Sequence, residues 1–226
     1  MNGMLKDVMI IRPLAIILLI FWHSFIIYTG GWKPPMSVGP VESYWWIARF
    51  SYSGMLELFV FISGYVFGIS IQKGVPAKDI ILKKFKRLII PSICFSIIYY
   101  LIFMHNSHTT VWDIAIKIIS GCGHMWFLPM LFWSTIISYT IYKIKCNTII
   151  KIIGMAILPM VSSDYLPFGI STSFYYILFF YIGIITYNNR NIIQEKTHNK
   201  LIISALWGGV FAVIHCGFHY NKRYFA

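Results

Sequence analysis

The chain has 226 residues, of which 58% are hydrophobic and only 12% are charged. Soluble domains carry about 25% charged residues, so this composition excludes a water-soluble globule, a disordered chain and a coiled coil. The net charge of +12 at pH 7 would suit nucleic acid only if the basic residues formed one water-facing surface.

Apolar segments long enough to cross a bilayer recur along the whole chain. A spanning helix needs about 20 mostly apolar residues, and these segments should be helical because lipid offers no partners for backbone polar groups. The sequence therefore predicts an all-α, polytopic transmembrane helix bundle of about seven helices. The predicted spans are residues 8–28, 51–71, 89–104, 125–143, 148–163, 171–187 and 201–219.

The basic residues label the two sides of the predicted membrane. Lys and Arg concentrate in cytoplasmic loops, so we place the N-terminus in the cytoplasm, which leaves 14 basic residues on the inner side and 5 on the outer side. Most of the net charge is then a topology signal. We expect a multi-pass protein of the cell inner (plasma) membrane, with membrane lipid as a partner and no nucleic acid.

Two ionisable residues share one face of the first predicted helix. Arg12 and His23 are 11 residues apart, which is close to three helical turns and about 16 Å along the axis. Ionisable groups inside a membrane are costly and indicate function; the alternative is a flanking arginine and a histidine at the membrane surface. Pro13 is expected in the first helical turn, where its missing N–H costs little.

Glu57 places a carboxyl group six residues into the second predicted span. Gly64 and Gly68 lie within about 20° of it around the helix, and small residues mark close helix packing. The first two helices run in opposite directions, so we expect Glu57 at the depth of His23. A direct or water-mediated hydrogen bond would then orient the ring and raise its basicity. A protonated, structural glutamate is the alternative.

The segment GCGHMWFLPML carries two further polar residues into the fourth span. His124 and Trp126 enter this span from the outer side, after a tight turn that Gly121 and Gly123 allow. Their depth is predicted to match that of His23.

A basic loop at 78–91 is predicted before the third span. Lys84 and Arg87 lie three residues apart on one helical face of this segment, just before Pro91 restarts a helix. Such clusters commonly hold phosphates, although anionic lipid headgroups attract them too.

Histidine pairs and cysteines give weaker signals. Two histidine pairs have spacings seen in metal sites, but no acidic residue lies close to either, so we predict no metal. The pairs are His105 with His108 and His215 with His219. Cys122 and Cys216 would pair only in an oxidising compartment, and the simpler interpretation is that all four cysteines are small apolar fillers.

Together these features resemble the acyltransferase-3 family of integral membrane O-acyltransferases. Arg12 and His23 resemble the family's arginine, ten residues, histidine signature. ELFVFISGYVFG at 57–68 is similar to its aromatic second-helix run that ends in Ile/Leu-Ser-Gly-Phe/Tyr. Lys84-x-x-Arg87 stands where the family has a basic element before its third helix, and HMWFLPML resembles its His-Leu-Trp-Phe-Leu run.

The resemblance implies transfer of an acetyl or other short acyl group to a hydroxyl of a cell-envelope polysaccharide or saccharide-lipid. The donor would be cytoplasmic acetyl-CoA or another acyl-CoA, with no permanently bound cofactor. His23 would be the catalytic histidine, either as general base for direct attack or through an acyl-enzyme. The resemblance also implies that Arg12 is the essential partner of His23. It further implies that Lys84 and Arg87 contact the phosphates of CoA. To these we add Glu57 as a catalytic residue, and His124 and Trp126 as substrate-binding residues.

Two departures from the family pattern matter. Met9 stands where the family often has an acidic residue, and the chain shows fewer helices than is usual. The motif matches fall within residues 7–131, and beyond them only hydropathy agrees. We therefore expect residues 1–226 to form one membrane-embedded domain, C-terminally truncated to roughly the N-terminal two thirds of the family's usual length, and its activity stays open.

Other functions compete with acyl transfer. A transporter or flippase for a lipid-linked saccharide would also use intramembrane charges, but the chain lacks the internal repeats typical of transporters. A seven-helix receptor would usually have its N-terminus outside, against the predicted orientation. A lipid-binding structural membrane protein is the remaining alternative.

Overall fold

The computed structural model describes residues 3–29, 41–104, 110–161, 166 and 168–196. Within these ranges the regular structure is helical and contains no strand, which confirms the all-α class. The chain forms two compact units, Met1–Ile62 with Asn189–Ala226 and Ser63–Asn188, and each unit is described by itself. The predictions that fall outside the described ranges are the 201–219 span, the two histidine pairs and the Cys216 pairing.

Nine α-helices, joined by short 3-10 and π segments, make up the part of the chain that is described. The α-helices are α1 (Gly3–Phe25), α2 (Glu42–Gln72), α3 (Ala77–Lys84), α4 (Ile90–Tyr99), α5 (Val111–Ser120), α6 (Phe127–Lys143), α7 (Thr148–Val161), α8 (Ile170–Asn188) and α9 (Arg190–Lys196). The 3-10 segments are Ile26–Thr29 and Gly123–Trp126, and the π segments are Phe85–Ile89 and Tyr100–Met104.

Three helical segments in the described ranges are long and apolar enough to cross a membrane. They are α2, the continuous segment Ala77–Met104, and α8. A fourth arises if α5 and Gly123–Lys143, which meet at a 65° bend, form one broken span or re-entrant loop. Four predicted spans fall in these segments. The predicted spans 8–28 and 148–163 correspond to shorter apolar helices, Arg12–Tyr28 and Thr148–Met160.

The predicted basic loop at 78–91 is wrong, because these residues lie within one continuous helical segment. α3 passes through the π segment Phe85–Ile89 into α4 without a break. The Ile90 N–H donates to the Phe85 carbonyl, five residues back. This wider turn accommodates Pro91, whose ring would clash with the carbonyl four residues before it in a regular α-helix.

Pro13 is also placed differently from the prediction. α1 begins at Gly3, so Pro13 lies inside the helix rather than in its first turn. Hydropathy detects only the apolar run that starts near residue 8, whereas Met, Leu and Lys before it are good helix formers. The proline leaves the carbonyl of residue 9 without its helical donor.

The second unit has its core between α6 and α8. The hydroxyl of Ser138 on α6 donates to the Ile177 carbonyl of α8 at 3.3 Å, which fastens the two helices inside the unit. The end of α2 packs on α8 as well: a Cβ added to Gly64 would lie 2.0 Å from the Phe180 carbonyl oxygen. A Cβ added to Gly68 would lie 2.8 Å from the Tyr187 ring, so both glycines mark a packed face, as predicted.

Candidate active site

In the first unit, α1 and the start of α2 pack side by side through aromatic rings. Trp22 stacks near Tyr52 with ring centroids 4.4 Å apart, and Phe25 and Tyr28 both contact Tyr44, at 5.1 and 4.8 Å. Contacts that move forward along α1 therefore move backward along α2, so the two helices are antiparallel. This confirms the predicted direction and fixes the depth of one helix against the other.

His23 is half-buried beside Trp22, near the end of α1. Its Nδ1 lies 2.8 Å from the carbonyl oxygen of Leu19, one turn back in the same helix. A carbonyl only accepts hydrogen bonds, so Nδ1 must carry the proton. In the neutral ring, the basic lone pair is then on Nε2. The helix backbone thus sets both the orientation and the tautomer of the ring.

Glu57 lies deeper than the sequence predicted. α2 begins at Glu42, nine residues before the predicted span, so Glu57 is fifteen residues into the helix. It lies five residues beyond Tyr52, the residue level with Trp22, which is about 7 Å further along the axis. The Nδ1 atom of His23 is taken by the Leu19 carbonyl, so a contact between Glu57 and the ring would have to use Nε2, and the predicted hydrogen bond stays a prediction.

The Glu57 carboxyl group is nevertheless enclosed. Its Oε2 atom is buried and has no hydrogen-bond partner among the residues that the structure describes. The antiparallel packing sets Glu57 level with the middle of α1, where Ala15 is fully buried. A buried carboxyl oxygen without a partner is costly, which favours a functional role over a structural one.

Arg12 occupies the other half of α1. Its side chain is exposed, and the continuous helix from Gly3 to Phe25 keeps it on the same face as His23, about 16 Å away along the axis. This separation exceeds the reach of the two side chains. Arg12 therefore does not contact the imidazole ring.

In the second unit, the segment with His124 and Trp126 forms a break between α5 and α6. Gly121 and Gly123 have φ values of 91° and 57°, in the left-handed region that glycine adopts readily. A Cβ at Gly121 would lie 2.6 Å from the Met125 carbonyl carbon. The predicted tight turn is confirmed, and it is close enough to exclude any side chain at Gly121.

Two serines of α4 hold this break in place. Ser92 Oγ donates to the Met125 carbonyl at 3.4 Å, and the Cys122 N–H donates to Ser96 Oγ at 3.0 Å. Both serines are buried. The sequence reasoning missed them, although two serines four residues apart in an apolar helix were an available signal for a polar contact.

His124 and Trp126 lie in the 3-10 turn that begins α6. His124 is exposed and Trp126 is half-buried. The Trp126 ring lies against Tyr176 of α8, with centroids 6.4 Å apart. The break therefore presents an imidazole next to a pair of aromatic rings.

Lys84 and Arg87 lie at the junction of α3 and the π segment. Lys84 is half-buried and Arg87 is exposed. Between them, Phe85 packs on Phe132 of α6 with ring centroids 6.0 Å apart. The basic pair is therefore opposite the first two turns of α6, and π segments of this kind are frequent at functional sites.

The contacts along this helix give the depth of the basic pair. Ser92 contacts Met125 and Phe85 contacts Phe132, so the helix runs antiparallel to α6. Arg87 is five residues before Ser92 and is thus about 7 Å from the level of Met125. The sequence predicted that the basic pair lies in a loop at the opposite end of the bundle from His124. In the structure the pair lies within the helix, and Arg87 is only about 7 Å from the level of Met125.

The predicted site residues thus form two groups. Arg12, His23 and Glu57 belong to the first unit, and Lys84, Arg87, His124 and Trp126 belong to the second. Within the second unit, the basic pair and the broken helix are within two to three helical turns of each other. Within the first, the three ionisable groups are at successive depths.

Apolar helices long enough to cross a membrane, with ionisable groups along them, define an integral membrane protein. A model of the acyltransferase-3 family, described as an acyltransferase domain, matches residues 6–225, and the chain belongs to this family. The match extends well beyond the motifs at 7–131 and supports a membrane acyltransferase in general. Comparison with curated proteins and with solved structures gave no significant match.

Proposed function

We propose that this protein is a multi-pass inner-membrane O-acyltransferase with a cytoplasmic N-terminus. It moves an acetyl or other short acyl group from cytoplasmic acyl-CoA to a hydroxyl of a cell-envelope polysaccharide or saccharide-lipid. Membership of the acyltransferase-3 family supports the class of reaction. The family resemblance and the predicted topology suggest the donor and the acceptor.

The observation that carries this proposal is the tautomer of His23. With Nδ1–H committed to the Leu19 carbonyl, Nε2 is the atom that takes the proton from the acceptor hydroxyl. The hydroxyl oxygen attacks the thioester carbonyl carbon, the new C–O bond forms and the C–S bond breaks. The proton on Nε2 then passes to the departing thiolate of CoA. An acyl-enzyme would use the same lone pair, and trapping a labelled enzyme would distinguish it.

We assign the basic residues to the donor. CoA carries several phosphates, and Arg and Lys are the side chains that bind phosphate. Lys84 and Arg87 lie three residues apart beside a π segment, which suits two contacts to one diphosphate. Arg12, which is too far from His23 to touch it, provides a further cation for the donor on the cytoplasmic half of α1.

We assign the broken helix to the acceptor. The Trp126 and Tyr176 rings offer apolar faces on which a sugar ring packs, while the exposed His124 imidazole reaches a hydroxyl. Ligand sites generally combine such apolar walls with a few placed polar groups. Glu57 stays a predicted catalytic residue, with a buried carboxyl oxygen that has no hydrogen-bond partner among the described residues.

The test is an acyl-transfer assay on membranes that contain the full chain. Radiolabelled acetyl-CoA is supplied from the cytoplasmic side, and base-labile label is counted in the glycan and glycolipid fractions. His23→Gln is expected to lower the initial rate by about 10²- to 10⁴-fold. Ser24→Ala changes an exposed neighbour on the same helix and is expected to leave the rate unchanged.

Two results would contradict the proposal. One is an equal rate for His23→Gln and Ser24→Ala at matched expression. The other is seen on deleting the gene: less glycan reaches the outer surface, but the number of esters per sugar stays the same. That second result would favour the transporter or flippase instead.

A further inference from the structure

Tyr99, the last residue of α4, lies on the turn between α5 and α6. A Cβ added to Gly123 would lie 2.6 Å from the Tyr99 Cζ atom and 2.9 Å from both of its Cε atoms. Cζ carries the phenol hydroxyl, so the polar end of the ring, rather than its base, rests on this glycine. The missing side chain at Gly123 is what allows the ring to come this close.

The ring is not needed to hold α4 on the turn. Ser92 and Ser96 already fasten α4 to the backbone of the turn. Tyr99 continues this row of contacts three residues beyond Ser96, which is about 4.5 Å nearer the Met104 end of the helical segment. With the predicted orientation this end faces the outer side of the membrane, where a cell-envelope acceptor would bind.

The Tyr99 hydroxyl is available to a ligand. The side chain is half-buried, and no residue in the described ranges forms a hydrogen bond with its hydroxyl. A phenol in an apolar helix usually finds a polar partner, and phenylalanine would cover Gly123 equally well. The hydroxyl therefore meets water or a polar group of a bound molecule.

The surroundings of this hydroxyl are the residues that we assign to the acceptor. At the start of the turn, Tyr99 of α4 lies on Gly123. At its end, Tyr176 of α8 lies against Trp126. The exposed His124 stands between these two points in the chain. A sugar bound at this turn would therefore have aromatic faces and hydrogen-bonding groups from two helices around it.

We propose that Tyr99 is an acceptor-binding residue, whose phenol hydroxyl forms a hydrogen bond with a hydroxyl of the sugar at this turn. A phenol both donates and accepts hydrogen bonds, as a sugar hydroxyl does. The inference rests on the proposed function, because it concerns the acceptor assigned there. Tyr99 takes no part in the transfer step, so its loss should weaken acceptor binding and leave the use of acyl-CoA unchanged.

The test measures the two substrates separately in an acyl-transfer assay on detergent-permeabilised membranes that contain the full chain. The acceptor probe is envelope polysaccharide from cells that lack the gene, freed of esters with mild base, and the donor is radiolabelled acetyl-CoA. Tyr99→Phe should raise the KM for the polysaccharide about fivefold through loss of one hydrogen bond, with kcat and the KM for acetyl-CoA unchanged. Tyr99→Leu should raise the polysaccharide KM further, because it also removes the ring.

The matched control is Tyr100→Phe, which removes the same hydroxyl one residue along, from a side chain that is 4% exposed. It should leave the polysaccharide KM unchanged. Equal polysaccharide KM values for Tyr99→Phe and Tyr100→Phe, with wild-type transfer intact, would overturn this inference alone. So would a rise in the KM for acetyl-CoA, which would put Tyr99 at the donor. If the wild-type chain transferred no more label than His23→Gln, the proposed function would fail and this inference with it.

Discussion

Gly64 offers the sharpest test of how the second unit is packed. In Gly64→Ala the new Cβ would lie 2.0 Å from the carbonyl oxygen of Phe180, 2.8 Å from its carbonyl carbon and 3.0 Å from its Cα. All three atoms belong to the α8 backbone, so no side-chain rotation relieves the overlap. The two helices must separate, by about 1.4 Å if the closest pair is to reach the 3.4 Å of ordinary contact.

The magnitude follows from this displacement. Overpacking a well-packed core typically costs about 1–3 kcal/mol, and a rigid backbone obstacle places Gly64→Ala in the upper part of that range. For a chain of this size each kcal/mol lowers the unfolding midpoint by about 2–4 °C. We therefore expect a midpoint about 4–12 °C lower.

The assay is thermal unfolding of the purified full chain in detergent, followed by the loss of the monomer peak in size-exclusion chromatography. Gly154→Ala in α7 is the matched control, because nothing lies within 4 Å of its new Cβ. Alanine is the better helix former by about 1 kcal/mol, so this control should be neutral or stabilising. If Gly64→Ala unfolded at the same temperature as Gly154→Ala, the close approach of α2 and α8 would be refuted.

Three further predictions use the same chain. Ser138→Ala should lower the free energy of unfolding by about 0.6 kcal/mol, because a hydrogen bond between helices is lost. Thr140→Ala should be neutral, because the Thr140 hydroxyl bonds to its own helix; equal unfolding midpoints for the two variants would contradict this. Gly121→Ala should destabilise far more than Gly74→Ala, because both have positive φ but only Gly121 is crowded; similar unfolding midpoints would count against the tight turn between α5 and α6. Glu57→Gln should lower the rate of acyl transfer while leaving the unfolding midpoint nearly unchanged, because glutamine keeps the shape of the buried side chain and removes the carboxyl group; an unchanged rate would mean that Glu57 is structural.

Hydropathy and small-residue spacing predicted the class of fold and parts of its packing. The apolar runs identified the long helices because lipid requires helical hydrogen bonding. Gly64 and Gly68 on one face predicted close packing, and the Gly121-x-Gly123 pattern predicted a tight turn. These inferences depend only on local hydropathy or on the spacing of glycines, and at these positions that is enough to decide the structure.

Helix ends and side-chain partners were the parts that could not be predicted. α2 begins at Glu42 because the aromatic segment before residue 51 continues the helix, although it adds little hydropathy. Because of that nine-residue error, Glu57 was predicted six residues into the helix, whereas it lies fifteen residues from its start. The basic run around Lys84 looked like a loop because hydropathy penalises lysine, yet lysine and arginine are good helix formers. The Cys122–Ser96 bond joins residues 26 positions apart, which no local pattern encodes.

The depths of the three ionisable groups in the first unit favour a long substrate over a compact catalytic cluster. His23 is near the level of Tyr52, Glu57 is about 7 Å further along, and Arg12 is about 16 Å from His23. These three groups are spaced so that each could contact a different part of an extended molecule. Acyl-CoA has this form, because a long neutral arm separates its thioester from its phosphates. If the proposed donor binds there, Arg12 and His23 would contact opposite ends of one ligand, and their common helix face would matter although the two side chains do not touch.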